Sequence, residues 1–225
     1  MLSAFTELRY CTVQATDGPA GWIEDVQFDD VRWIVRHLVV GVPGRLPEER
    51  VLVPPTAVQS VDTGARRCAL ALSRSEIEGE PGARTAPPVS RQRHITLYDS
   101  QGLPHMSAGP DPHLRSARAL IGYVVLGLDE EAGQVRDLLV EQGTWAMRYL
   151  LIQPTGTSRQ TLIGPEWVSR MNWEERAVHL DVYRGHIDRA PSYDPSIPIT
   201  RDYEQRLYAH YRRPGYWHDD AMRSR

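Results

Sequence analysis

The stretch Gly21-Trp22-Ile23-Glu24-Asp25, followed by Trp33-Ile34-Val35-Arg36-His37-Leu38-Val39-Val40, decides the reading of this chain because it occurs twice. It returns as Gly133-Gln134-Val135-Arg136-Asp137 and Trp145-Ala146-Met147-Arg148-Tyr149-Leu150-Leu151-Ile152, at a constant spacing (137 − 25 = 112). Residues 21–28 place the apolar Ile23, Val26 and Phe28 among the polar Glu24, Asp25 and Gln27, the pattern of a half-buried strand. Residues 31–40, rich in Val, Ile and Leu, read as the strongest strand, with Trp33 on it. Asp29-Asp30 supplies the turn between the two in the first copy, and Glu141-Gln142-Gly143 supplies it in the second.

Working outward, the spacing changes to 110, where Pro55, Val58, Leu70, Arg74, Ile77 and Pro81 meet Pro165, Val168, Leu180, Arg184, Ile187 and Pro191. The two-residue difference falls in the Gly/Pro-rich segments 41–49 and 153–159, which read as exposed hairpin loops. On the N-terminal side, an extended segment at 10–15 ends at the turn Asp17-Gly18-Pro19. On the C-terminal side follow a strand at 50–53, a bend at 55–58, and a strand at 67–72 whose counterpart is 177–182. Ser73 with Glu76 marks a helix start. A duplication this long means two domains of one fold. The short strands and weak helical periodicity predict a mainly β fold of two tandem small barrels, at residues 1–80 and 113–190.

Each barrel is followed by an appendage. Residues 81–112 read as a linker with a degenerate appendage, in which Pro88-Val89-Ser90-Arg91, Leu97-Tyr98 and Pro104 repeat as Pro198-Ile199-Thr200-Arg201, Leu207-Tyr208 and Pro214. Residues 191–225 read as a helical, aromatic tail whose helix runs from Arg201 to about Tyr211, capped by Thr200.

The chain has 225 residues and a formal net charge of −3, which gives no overall pull toward nucleic acid or an anionic membrane. All 26 basic residues are arginines, so Schiff-base and phosphate-loop lysine chemistry is excluded. The only cysteines, Cys11 and Cys68, stand opposite Tyr123 and Val178 and match no zinc spacing. They read as packed, reduced thiols, and the N-terminus carries no secretion signal, which together point to the cytoplasm. No apolar run has the length of a membrane span.

No hydrolase, phosphate-loop, dinucleotide or metalloprotease motif occurs, and the eight histidines are scattered. No catalytic residue, metal or cofactor is therefore expected. The polar residues kept in both copies, Asp25/Asp137 and Arg36/Arg148, read first as a strand-to-strand ion pair or as partners of turn amides, and second as ligand groups. Trp33/Trp145 reads as an anchor between barrel and appendage before it reads as a ligand platform. In the tail, Tyr208, Tyr211, Tyr216 and Trp217 alternate with Arg206, Arg212 and Arg213. This mixture suits packing onto the chain's own barrel, a protein interface, or base stacking, and Asp219-Asp220 after it weighs against RNA.

The ordered motifs at 21–25, 33–40, 51–55 and 70–77, repeated at 133–137, 145–152, 162–165 and 180–187, resemble the PRC-barrel family. So does the tail with Asp202-Tyr203-Glu204, Leu207-Tyr208 and Pro214-Gly215-Tyr216-Trp217, which looks like that of bacterial proteins carrying two such barrels. The family includes the cytoplasmic domain of the photosynthetic reaction-centre H subunit and the C-terminal domain of a ribosome maturation factor. This chain has neither the membrane helix of the first nor the different N-terminal barrel of the second. The resemblance implies a non-enzymatic adaptor or scaffold for protein partners, with a homo-oligomer as one form. The alternatives are a ribosome- or RNA-associated factor, and a small-ligand sensor or enzyme using a cleft between barrels.

Overall fold

The computed structural model describes residues 1–44, 50–83, 86, 88 and 111–217. Most of the predicted linker at 81–112, with its repeated Leu97-Tyr98 and Pro104, lies outside the described residues, as do part of the 41–49 loop and Asp219-Asp220. The chain is mainly β, in two seven-stranded sheets.

The first copy supplies β1 (Leu2–Ala4), β2 (Thr12–Ala15), β3 (Gly18–Asp29), β4 (Ile34–Gly41), β5 (Val51–Val53), β6 (Val58–Asp62) and β7 (Arg67–Leu70). The second supplies β8 (Leu114–Ser116), β9 (Val124–Leu126), β10 (Glu131–Glu141), β11 (Met147–Pro154), β12 (Thr161–Ile163), β13 (Val168–Asn172) and β14 (Ala177–Leu180). One sheet has the order β5-β4-β3-β2-β7-β6 and the other β12-β11-β10-β9-β14-β13, so the duplication is repeated strand for strand. In each, one pair is parallel, β2 with β7 and β14 with β9.

The seventh strand of each sheet comes from the other copy. β8 pairs with β3 as Gln27↔Ser116, Phe28↔Arg115 and Asp29↔Leu114. β1 pairs with β10 as Ala4↔Leu139, Ser3↔Val140 and Leu2↔Glu141. Adding 112 to each first-copy number, and subtracting it from each second-copy number, converts one register into the other. The two copies thus exchange their N-terminal strands reciprocally.

The compact units follow this exchange. One contains Met1–Ile121 with Leu138–Arg148, and the other contains Gly122–Asp137 with Tyr149–Arg225.

In the first unit, Phe5, Leu8, Val13, Ile23, Phe28 and Leu38 are fully buried. Ile23 and Val26 are three apart, which breaks the two-residue period of a strand. A bulge between Ile23 and Asp25 restores the phase so that both face the core. Asp25 and Gln27, polar in the sequence pattern, are buried as well. β8 pairs beside β3 there, the short helix Ala117–Leu120 after it donates the Arg118 amide to Asp25, and the Gln27 amide donates to the carbonyl of Ala86. Gly21 bends β3: it has φ +148°, and a Cβ there would lie 2.1 Å from the carbonyl oxygen of Gly41. Gly133 does the same on β10, with φ +153° and 2.2 Å to the oxygen of Gln153. Only glycine fits such a site, which explains why both copies keep it.

In the second unit the core is Val125, Val135, Tyr149, Ile152, Trp167 and Leu180. The helix Arg201–Tyr211 starts where the Thr200 hydroxyl accepts from the Tyr203 amide, and it buries Glu204, Leu207, Tyr208 and Tyr211. It ends at Arg212, whose left-handed backbone (φ 53°) turns its amide back to close the last turn.

Candidate functional site

Trp33 and Trp145 lie in the turns β3–β4 and β10–β11, and not on a strand as their neighbours in sequence suggest. Both have left-handed backbone, with φ 53° and 59°. The amide of Trp33 donates to the carbonyl of Asp29, and that of Trp145 to the carbonyl of Glu141, each at 2.8 Å. Their own carbonyls accept from the opposite copy, Trp33 from Met147 at 2.7 Å and Trp145 from Val35 at 2.8 Å. An isolated antiparallel bridge, Ile34↔Ala146, completes the contact. The two turns therefore meet about a local twofold within the first unit. The side chains diverge: Trp145 is 7% exposed, whereas Trp33 is half-buried and stacks on Phe28 at 5.6 Å.

Asp25 and Arg36 do not meet. One oxygen of Asp25 accepts from the amides of Val26 (2.8 Å) and Arg118 (2.9 Å), and the other accepts from the Ser116 hydroxyl (2.5 Å). Burial pushes its carboxyl above the usual range, against the pull of Ser116 and the two amides. The residue thus pins the start of the second copy onto β3. Arg36 instead crosses its own hairpin to Asp29 at 3.3 Å. Arg148 makes the equivalent contacts to Glu141 at 2.9 and 2.6 Å. In Asp29, burial opposes the charge, but the amides of Arg32 and Val31 together with Arg36 outweigh it and hold the carboxyl low. Asp137 is buried in the second unit. In the first unit Asp25 contacts turn amides and a hydroxyl, and Arg36 and Arg148 contact the carboxylates of their own hairpins.

A groove of ≈ 530 Å³ opens in the first unit beside this twofold. Its walls are β6 with Pro55 and Thr56 ahead of it, Ile34 and Val35 at the start of β4, Met1, and the turn from Gln142 to Trp145. None of the lining side chains is ionisable. β6 itself is at the edge of its sheet and, among the described residues, pairs only with β7. Sequence reading gave no strand at 58–62, because Gln59, Ser60 and Asp62 interrupt the apolar pattern and are exposed. The signal present was Val58 and Val61 just after the Pro55 turn, repeated as Val168 and Met171.

The tail residues are placed on the second unit. Tyr208 and Tyr211 are buried against Trp167, with ring centroids at 5.2 and 4.4 Å. Glu204, 5% exposed, accepts from the hydroxyls of Tyr149 and Tyr216 at 2.8 Å each and pairs with Arg201 at 2.8 Å. Arg201 in turn lies 4.3 Å above the ring of Trp217. Arg213 pairs with Asp181 at 2.5 Å, and Arg212 is exposed. The tail aromatics thus form one cluster with Tyr149 and Trp167, two residues whose first-copy counterparts are His37 and Ala57.

Cys11 and Cys68 are buried free thiols, and burial, reinforced by Cys11, pushes Cys68 up to about 12. Among the described residues no three His, Cys, Asp or Glu side chains group as metal ligands, and no helix is long and apolar enough to cross a membrane. No family model matches this chain, and no curated protein matches it.

Proposed function

We propose that the chain is a cytoplasmic, non-enzymatic adaptor built from two PRC-type barrels, which holds protein partners. Features of each sheet support barrel closure. The long β3 and β10 carry bulges and a glycine bend near their starts, the devices that curve a sheet. A partner-binding role rests on one observation, the groove without ionisable side chains beside the edge strand β6. No arginine or histidine lines the groove, so a phosphate backbone finds no cationic side chain there. The burial of Tyr208 and Tyr211 against Trp167 likewise withholds their faces from bases.

Site-specific photo-crosslinking tests this reading. A benzophenone amino acid is placed at exposed positions across the surface, Gln59, Thr144, Val31 and Tyr183 among them, and irradiated in an extract of cells that express the protein. Discrete adducts that resist nuclease and yield to protease are expected. Adducts that yield only to nuclease, or none at any position, overturn the adaptor.

A further inference from the structure

We infer that one largely buried charged pair dictates which copy exchanges strands with which, so that the first copy joins the second and not the first copy of another chain. Both exchange junctions lie in the first unit, and their backbones match. The Asp30 amide donates to the carbonyl of His113 at 3.0 Å, and 112 positions away the Gln142 amide donates to the carbonyl of Met1 at 2.8 Å. The side chains at these matching positions differ. After β3, the Asp30 carboxylate accepts from Nε of Arg115 and contacts Nδ1 of the half-exposed His113 at 2.9 Å. After β10, the Gln142 side-chain amide donates to the Ser3 hydroxyl at 2.7 Å. Arg115 stands where Ser3 does (115 − 3 = 112), so one junction is charged and the other neutral.

The backbone alone does not choose between partners. Because register is repeated at both junctions, β1 of a second chain can take the place of β8 on β3. The side chains decide. With β1 on β3, Ser3 faces Asp30, and a carboxylate only 9% exposed loses its guanidinium. With β8 on β10, Arg115 faces Gln142, and the adjacent carboxylate of Glu141 is already held by Arg148 and the Thr144 hydroxyl. Separating such a pair leaves two charges short of both water and a partner. Ser116 acts in the same direction. Its hydroxyl reaches Asp25, and its counterpart on β1 is Ala4, which has none.

Specificity of this kind is a difference between two affinities, and here the rejected pairing carries the penalty. A duplicated chain with interchangeable strands is prone to link with its neighbours, since exchange of identical elements is a low-cost route to dimers. The pair removes first-with-first and second-with-second copies from the matched combinations. The covalently attached copy, present at high effective concentration, is then the one that fits.

The experiment moves the charges within the full chain without changing its composition. Ser3→Arg with Arg115→Ser carries the arginine from β8 to β1. Asp30→Gln with Gln142→Asp carries the carboxylate from the end of β3 to the end of β10. In either variant the matched combinations become first copy with first copy and second copy with second copy. All four substitutions together restore the match between first and second. Chains bearing a fluorescent donor or acceptor are unfolded and refolded as a mixture. Energy transfer is compared with that of chains mixed after folding, which separates strand exchange from surface association. Each two-substitution variant is expected to form co-refolded dimers with an association constant roughly tenfold or more above that of the parent. The four-substitution variant is expected to return to the parent value, and either two-substitution variant carries the test if the other does not fold. Two-substitution variants that melt lower yet dimerise no more than the parent overturn the inference and reduce the pair to a stabilising contact. A four-substitution variant that dimerises as strongly as they do overturns it as well.

Discussion

The amide of Met147 donates to the carbonyl of Trp33, and 112 positions earlier the amide of Val35 donates to the carbonyl of Trp145. The repeated tryptophans are thus backbone hinges at a local twofold as much as packing residues. Their conformations match and their burial differs, so their substitutions should separate. We expect Trp145→Ala to cost about 3–5 kcal/mol, as for a buried aromatic truncation. Trp33→Ala should cost about 1–2 kcal/mol, because the residue is only half-buried. Glycine at either position should recover about 1 kcal/mol relative to alanine by relieving the left-handed backbone. Chemical denaturation of the four variants checks this order, and equal losses for the two alanines would contradict it.

Gly21→Ala and Gly133→Ala each push a methyl group into a facing carbonyl and strain a positive φ. Neither contact has a flexible side chain that can give way. We expect each to destabilise by at least ~3 kcal/mol, with the two losses similar. Gly44 has positive φ and open space around it. Gly44→Ala should therefore pay only the backbone term, about 1–2 kcal/mol. Thermal melts of the three variants make the comparison.

The raised carboxyl of Asp25 has a defined sign. A folded state that holds the proton more tightly than the unfolded chain is favoured at low pH. This contribution is complete below the ordinary Asp value of 3.8 and is lost as pH rises through the folded value. Asp25→Asn removes the charge and keeps an oxygen for the amides of Val26 and Arg118. We expect it to be within about 1 kcal/mol of the parent at neutral pH and to flatten the pH profile. Asp25→Ala leaves two amides and a hydroxyl unmet and should cost about 2–3 kcal/mol. Urea titrations between pH 3 and 8 distinguish the three proteins.

The tail clamp has its own signature. Tyr149→Phe deletes one of two hydroxyl donors to the buried Glu204 carboxylate. A hydrogen bond to a charged group contributes about 1.5–3 kcal/mol, and a loss in that range is expected. Removing residues 196–225 uncovers Trp167 and Tyr149, so the truncated chain should bind a hydrophobic dye and lose solubility. Unchanged melting and no dye binding after truncation would show that the cluster adds nothing to the unit.

Alkali should act on the same cluster. Burial raises the phenols of Tyr149, Tyr203, Tyr208 and Tyr211 above the ordinary value of 10.0, with neighbouring phenols or carboxylates adding to the rise. Their contribution is present below pH 10 and is lost as pH rises further, since the unfolded chain ionises first. Phenolate absorbance from these four rings should appear only together with cooperative unfolding. Tyr149→Phe should reduce the size of that late step by one ring.

Much of the fold was legible because two aligned copies separate required residues from variable ones. The positions of Gly21 and Gly133, the capping pair Ser73 and Glu76, and the helix after Thr200 all follow from local chemistry readable in the chain. The exchange of β1 and β8 was hidden, because strand pairing across more than 80 residues leaves no local period. Asp25 was visible as a repeated carboxylate, but its partners Ser116 and Arg118 come from the other copy and could not be inferred by spacing. β6 left little trace in the sequence because an edge strand, paired among the described residues with β7 alone, needs few apolar residues.

The crossed N-terminal strands also set a timetable for biosynthesis. β1 leaves the ribosome long before its partner strand: Ser3 pairs with Val140, 137 positions later (140 − 3 = 137). At roughly 5–20 residues per second, that is a wait of about 7–27 s with one strand unmatched. β3 likewise stands incomplete until residues 114–116 arrive. Each copy therefore depends on a strand from the other, and translation that stops short of residue 139 leaves β1 without its partner.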